Sequence, residues 1–316
     1  MKETEPILSI CIPTWNRSKF LTVSLESFLG QIKEIDPEEI ELFVSDNGSD
    51  DDTADVVQSF IEKGLPITYN RNPENVGAAR NFLKCMQMSS GKYILLLGDD
   101  DILDPGALKT ILDALRDKEY GIVHLHHFKN VSEDYVEYNS IEDFFMQVSY
   151  WFTFVSGSIF RHDVIANVDA EKYLDTRLMQ VPFFLQSALS SDRNLLINKP
   201  VLTCGLDYAT NGGYNFYEVF VRNYLEIWKE LVNNGSISKR CYNYLKKDVY
   251  LSFVKLRNYQ LLVKHKGVKE RQEAGWNRNG YTIEGAKDIL REYYGCNLYY
   301  HWSMIKLFIR RLLSRE

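Results

Sequence analysis

The sequence predicts an α/β fold, a mostly parallel sheet flanked by helices, with a helical region at its C-terminal end. Three observations carry this. Strand-like and helix-like stretches alternate four times over residues 7–118, the order that builds βαβ units. The run Tyr93-Ile94-Leu95-Leu96-Leu97 is apolar on both faces and stopped by Gly98, as expected of a strand covered by helices on both sides. Beyond Asn211-Gly212-Gly213 the apolar spacing is helical. That Gly pair sets the domain boundary, giving residues 1–211 and 212–316.

In order, residues 7–13 form a first strand, and T-W-N-R leads into a helix over 18–29 with Ser18 as its N-cap. A second strand over 40–44 ends in S-D-N-G-S-D-D-D, followed by a helix over 53–63 and a short strand over 67–69. A helix opening near Asn75 carries Val76, Ala79, Phe82, Leu83 and Met86 at helical spacing. After the apolar strand, Asp104 and Pro105 are placed as N-cap and first turn of a helix reaching 118. Residues 121–128 read as a strand with His124 and His126 on one face and His127 on the other, which is not a preformed three-histidine metal site. Residues 151–160 read as a kinked strand, 175–190 as a helix with Pro182 in its first turn, and 201–204 as a short strand. Four helices follow, over 216–232, 238–265, 282–293 and 299–313. The last has Trp302, Ile305, Phe308, Ile309 and Leu312 on one side and Lys306, Arg310, Arg311 and Arg315 around the other, which suits a membrane surface or docking on neighbouring helices.

The 316 residues, 45% hydrophobic and 25% charged, describe a globular chain of about two domains. Twenty Tyr, seventeen Phe and five Trp offer stacking surfaces for sugars, although core packing accounts for most of them. The net charge of −6 is unevenly placed: residues 1–210 carry 18 Lys and Arg against 33 Asp and Glu, and residues 211–316 carry 19 against 10. Such an acidic body disfavours nucleic acid as a partner. Five widely spaced cysteines without a C-x-x-C pair read as reduced thiols in a cytosolic protein. The acidic N-terminal stretch is unlike a secretory signal, and no segment has the ~20 apolar residues of a membrane span, so membrane contact is expected to be peripheral. Serine and cysteine hydrolase motifs are missing from the sequence.

Chemistry concentrates at four strand ends: P-T-W-N-R (13–17), S-D-N-G-S-D-D-D (45–52), N-V-G-A-A-R-N (75–81) and G-D-D-D (98–101). The C-terminal edge of an open parallel sheet is where such folds bind ligands. Asp99, Asp100 and Asp101 cannot follow their strand into the core as unpaired carboxylates, so they meet water, a cation or a ligand; a polar loop ahead of a helix would use the same residues.

Together, in this order, these segments resemble the nucleotide-sugar-binding half of glycosyltransferase family 2, whose fold is called GT-A; the likeness covers about residues 7–118. The resemblance implies that Pro13, Thr14, Trp15, Arg17 and Asp46 form the nucleotide pocket, with Asn75, Arg80 and Asn81 near the donor sugar and phosphates. It implies that Asp99, Asp100 and Asp101 match the family's D-x-D element, Asp100 foremost, on Mn²⁺ or Mg²⁺ bridging the diphosphate, with Asp99 and Asp101 also contacting the donor. Two departures stand out. Gly98 occupies the place where many members carry the first acid, and Met179-Gln180 occupies the place of the acidic pair that supplies the base in inverting members. Either Asp175, Asp207, Asp163 or His162 supplies the base from elsewhere, or configuration is retained and no base is needed there.

With N-K-P-V-L-T-C-G closing the domain, the chain is similar to the abequosyltransferase-type branch of that family, which implies a 3,6-dideoxyhexose transferred from a CDP-sugar to a lipid-linked O-antigen oligosaccharide at the cytoplasmic face of the inner membrane. The basic C-terminal part fits a lipid-anchored acceptor, and equally an oligomerisation element in a homo-oligomer. The alternatives are an inverting UDP-hexose transferase acting on another surface glycan and a catalytically silent nucleotide- or sugar-binding module.

Overall fold

The computed structural model describes residues 5–205, 214–254 and 286–295, and its described residues fall into two compact units. The first holds residues up to 144 together with 154–205; the second holds 145–153 together with those from 214 onward. The boundary expected at 211/212 lies outside the described residues, as does the helix expected over 299–313.

The first unit contains β1 (Leu8–Thr14), α1 (Ser18–Gln31), β2 (Ile40–Asp46), α2 (Thr53–Glu62), β3 (Ile67–Arg71), α3 (Ala78–Met88), β4 (Tyr93–Leu96), β5 (Ile102–Leu103), α4 (Ala107–Asp117), β6 (Ile122–Leu125) and β7 (Tyr135–Tyr138). After α5 (Ile141–Val148), which runs across the division at 144, come β8 (Ser158–Arg161), α6 (Gln180–Leu189), β9 (Asn194–Ile197) and β10 (Leu202–Thr203). Eight strands form one sheet in the order β3-β2-β1-β4-β8-β6-β9-β7, and β5 pairs with β10 in a separate ribbon. Neighbours are parallel except where β8 meets β4 and β6 and where β7 meets β9. Because β4 and β6 are each antiparallel to β8, they point the same way, and all the parallel strands end at one edge.

Alternation sorts the strand side chains between two layers. Ile10, Leu42, Leu95, Val123 and Ile159 pack in one buried cluster with Leu21 and Leu25 of α1, Val57 of α2 and Ile111 of α4. On the other face, Cys11 Sγ meets the Cys85 carbonyl of α3, and Phe160 of β8 packs against Phe183 and Phe184 of α6. As the apolar run predicts, β4 is covered on both faces, every side chain from Tyr93 to Leu97 being fully buried.

Several local expectations are corrected. Ser18 is the first helical residue rather than the cap. Asn16, in the left-handed region at φ 53°, turns the chain, and Asp51 of the next loop accepts the Ser18 N–H at 3.0 Å. The third helix starts at Ala78, not near Asn75, because the Asn75 carboxamide folds back to the Gly77 N–H at 2.8 Å and Gly77 sits at φ 89°. Likewise α4 starts after the left-handed Gly106, and Asp104 is no cap: its carboxylate accepts the Thr203 hydroxyl at 2.7 Å, beside the β5–β10 ribbon. Residues 149–153 and 155–157 are 3₁₀ turns, so only Ser158–Arg161 forms where a strand was expected over 151–160. Finally α6 starts at Gln180, since Arg177 at φ 63° breaks the chain from the 3₁₀ segment Ala170–Thr176; Pro182 does lie in its first turn.

In the second unit, α7 (Tyr224–Asn233) continues from a π-helical turn (Glu218–Asn223), and α8 (Lys239–Asp248) is capped by Ser238, whose hydroxyl accepts the Cys241 N–H at 3.1 Å. Trp228 is fully buried among Phe145, Phe152 and Tyr224, and the Tyr224 hydroxyl donates to the Ser149 carbonyl at 2.6 Å. α9 (Ala286–Tyr294) is joined to α7 by Tyr293 donating to Glu226 at 2.6 Å. No helix among the described residues is long and apolar enough to cross a membrane.

Gly91, just before β4, has no room for a side chain: a Cβ there would stand 2.7 Å from the Ser9 backbone nitrogen. Gly91→Ala is therefore expected to lower unfolding free energy by about 1–3 kcal/mol, read from urea denaturation.

Candidate functional site

The site is built where β1, β2 and β4 end. Gly98 and the triplet form a tight turn closed by the Asp101 N–H donating to the Gly98 carbonyl at 3.0 Å. A Cβ on Gly98 would lie 2.9 Å from Asp101 Oδ2 and 3.2 Å from Asp100 Oδ1. A side chain at position 98 would therefore require the carboxylates that follow to shift.

Each acid has its own partners. Asp99 accepts the Thr14 hydroxyl at 2.7 Å and Arg17 Nε at 2.8 Å, while Arg17 Nη2 pairs with Asp100 Oδ2 at 2.8 Å. Arg17 therefore bridges two of the three carboxylates and also lies over the Phe20 ring, 4.5 Å from its centroid. Asp101 accepts the Ser156 hydroxyl at 2.5 Å and the Gly205 N–H at 2.8 Å, and Ser156 in turn accepts the Gly98 N–H at 2.9 Å. Burial pushes the Asp99 carboxyl up to about 6 despite the opposing pull of Arg17, and burial raises Asp101 too. Asp100 Oδ2 is buried with no hydrogen-bond partner among the described residues beyond its ion pair with Arg17, whereas both oxygens of Asp99 and of Asp101 accept hydrogen bonds, so Asp100 keeps coordinating capacity the other two have spent. No group of three His, Cys, Asp or Glu among the described residues is arranged to hold a metal ion. The donor set that fits a hard divalent cation is one carboxylate, Asp100, with ligand oxygens completing the shell.

Beside the triplet, Asp46 is fully buried at the end of β2, accepting the Ser49 N–H at 2.8 Å and the Tyr69 hydroxyl at 2.7 Å, with Arg71 Nε at 3.6 Å. The loops after β1 and β2 are joined by Asn16: its N–H donates to Ser49 Oγ and its carboxamide accepts the Asp50 N–H, both at 2.8 Å. Trp15 projects from this rim, 48% exposed, and Pro13 is buried opposite Ser45. Asn47 donates to Asn75 at 2.8 Å and accepts from Asn72 at 3.1 Å. Asn81 is buried, bonded to Ser45 at its hydroxyl and carbonyl, each at 2.8 Å, and to Asn72 at 3.0 Å, so it ties α3 to the ends of β2 and β3 rather than facing a ligand. Arg80 is exposed and forms a two-pronged pair with Glu171 at 3.0 and 3.1 Å.

The base candidates separate. His162 follows Arg161, which stands opposite Tyr93 at the start of β4, and its N–H donates to the Lys92 carbonyl at 3.0 Å. His162, and Asp163 paired with Arg161, therefore lie at the sheet edge opposite the triplet, because β8 runs antiparallel; neither serves this site. Asp175 is exposed in the turn Ala170–Thr176, and Asp207 lies outside the described residues. Met179 and Gln180 are both buried at the start of α6. Ser156, Gly205, Tyr69 and Ser49, which hold the acids, were missed; Ser156 and Gly205 lie 55 and 104 residues from Asp101, with no spacing to betray them.

Residues 9–170 match the profile of Glycosyl transferase family 2. The chain is 30% identical over 224 residues to abequosyltransferase RfbV of Salmonella typhimurium, a match covering 63% of this chain and 66%, just under two thirds, of that protein. It is 28% identical over 283 residues to a Campylobacter jejuni GalNAc(5)-diNAcBac-PP-undecaprenol beta-1,3-glucosyltransferase, covering 82% of this chain and 86% of the relative. The crystal structure of S. aureus TarS in complex with UDP-GlcNAc superposes with a TM-score of 0.62 at 16% identity, over 90% of this chain and 80% of that one, a likeness of fold.

With its carboxyl near 6 in the fold and 3.8 as the ordinary value, Asp99 holds a proton between those values in the native state only. Its burial thus costs stability as pH rises through that window, and in full above it. In EDTA, Asp99→Asn should gain stability on the wild type between pH 4 and 7 by up to about 3 kcal/mol in urea unfolding; curves that stay parallel would contradict this.

Proposed function

The chain belongs to glycosyl transferase family 2, and from that premise we propose that it moves a sugar from a nucleotide-sugar donor to a lipid-linked oligosaccharide. The observation carrying this reading is the Thr14–Arg17–Asp99–Asp100 cluster at the strand ends, next to the Asp46 loop. The nucleobase rests in the rim formed by Pro13, Thr14, Trp15 and Asp46, where Ser49 and Tyr69 hold Asp46 rigid. Arg17 supplies fixed positive charge beside the place a diphosphate occupies, and Asn75 and Arg80 stand where the α3 loop borders it. Asp100 would hold Mn²⁺ or Mg²⁺, which when bound neutralises charge developing on the departing nucleoside diphosphate. Asp99 and Asp101 keep the turn in shape for it, through partners fixed on β1 and ahead of β8 and after β10.

For the donor, likeness to an abequosyltransferase supports a CDP-linked 3,6-dideoxyhexose, and likeness to a glucosyltransferase named for an undecaprenol-linked substrate supports a lipid-linked acceptor. A UDP-hexose or UDP-N-acetylhexosamine is the second reading, favoured by the fold shared with UDP-GlcNAc-bound TarS. The basic C-terminal third suits work at the cytoplasmic face of a membrane.

Calorimetric titration should give tighter binding of CDP than of UDP; the reverse order selects the second donor. Asp100→Ala should reduce metal-dependent transfer about 100-fold or more while leaving the thermal midpoint near that of the wild type. Unimpaired transfer would remove Asp100 from the metal role.

A further inference from the structure

In an inverting transfer an acceptor hydroxyl must lose its proton near the anomeric carbon, on the side away from the diphosphate. The helix position that carries a carboxylate for this purpose in the resembling family holds Met179 and Gln180 here, neither of them an acid. We propose that His126 takes that role, as the base facing the acceptor. The inference rests on the reading of the chain as a nucleotide-sugar transferase.

Strand register gives its position. Leu95 of β4 and Val123 of β6 both stand opposite Ile159 of β8, so they are level across the sheet. Gly98 and His126 each follow three residues on, past the ends of β4 and β6 at the same sheet edge, the second still tied to the sheet by its N–H donating to the Ile197 carbonyl at 3.3 Å. Two strand spacings, about 10 Å, separate β4 from β6 across β8, the room a sugar ring needs between a diphosphate held at the triplet and a base beyond it.

The layer is also the right one. His124 stands opposite Ser158, its Nδ1 3.0 Å from that hydroxyl, and Ser158 shares its face of β8 with Phe160, which packs on Phe183 and Phe184 of α6. By alternation His126 follows His124 onto that face, 6.4 Å from it between ring centroids, and its ring meets Phe128 edge-on at 4.4 Å. Ser187, near the end of α6, donates to the Gly121 carbonyl ahead of β6, so the start of α6, with Gln180, lies toward the edge where His126 and the triplet are. The link to the triplet is short: a Cβ on Gly157 would be 3.3 Å from His124 Cε1, and the adjacent Ser156 bonds Asp101.

The proton state agrees. Burial, helped by the neighbouring His127, pushes the His126 imidazole down to about 4, so the ring is neutral at neutral pH and about as basic as an ordinary carboxylate. His124, deeper and pushed down to about 3, is neutral too. In the step, a neutral ring nitrogen of His126 takes the acceptor hydroxyl proton. The oxygen pair so freed bonds to the anomeric carbon from the face opposite the diphosphate, and the bond from that carbon to the phosphate oxygen breaks, its electron pair leaving with the nucleoside diphosphate. The imidazolium then releases its proton to water, and the product has inverted configuration.

The test measures nucleoside diphosphate release from CDP-, UDP- and GDP-sugars by the full chain with water as acceptor, with nucleotide affinity by calorimetry. His126→Gln should lower release at least about 100-fold with nucleotide affinity within twofold of the wild type. His126→Asp should recover at least about tenfold of that loss, which a packing role would not do. The sugar first released, followed by proton NMR, should be inverted. Release by His126→Gln within threefold of an active wild type, no recovery with His126→Asp, or a retained anomer overturns the assignment while leaving the transferase reading standing. A wild type that neither binds nucleotide nor releases it from any donor overturns both.

Discussion

Three adjacent carboxylates at the mouth of a fully apolar strand are the constraint to which the rest of this unit answers. Two of them are nearly buried, and a buried carboxylate without donors costs several kcal/mol. The chain meets that demand from far away: Thr14 and Arg17 from the loop after β1, Ser156 from the turn before β8, and the Gly205 backbone after β10. Gly98 follows from the same demand, since the space where its side chain would lie is filled by the oxygens of Asp100 and Asp101.

A second, uncharged layer of order surrounds the first. Asn47, Asn72, Asn75 and Asn81 exchange carboxamide hydrogen bonds that fasten the ends of β1, β2 and β3 to the start of α3. These are residues whose short amide side chains can satisfy backbone groups in loops, where no ladder or helix does so. A rim built this way holds its backbone in place whether or not a ligand is bound, so little ordering cost falls on binding.

The sequence was most legible where one local pattern sufficed. The apolar run Tyr93–Leu97 and the alternation of strands and helices led directly to the sheet, and the acids after Gly98 to the edge where its parallel strands end. Legibility failed where a long-range partner outweighed a local signal. Ser18 reads as a cap, yet it is the first helical residue and its N–H is taken by Asp51 of the next loop; Asp104-Pro105 reads as a helix start, yet Asp104 bonds Thr203; aromatic residues 151–154 read as strand, yet Phe152 is drawn onto Trp228. In the site the same rule holds. Thr14, Arg17, Asp46 and the triplet were visible as strand-end motifs, whereas His162 was misplaced because the direction of β8 cannot be read from its own residues.

The bond from the Gly205 N–H to Asp101 has a consequence during translation. Asp101 leaves the ribosome 104 residues ahead of its partner, an interval of about 5–20 seconds at ordinary elongation rates. Asp101 is two donors short until Ser156 is made and one short until Gly205 follows. The turn that carries the acids is thus completed by a residue outside its own sequence signature, and a polypeptide truncated before residue 205 would contain every strand-end motif without the contact that closes it.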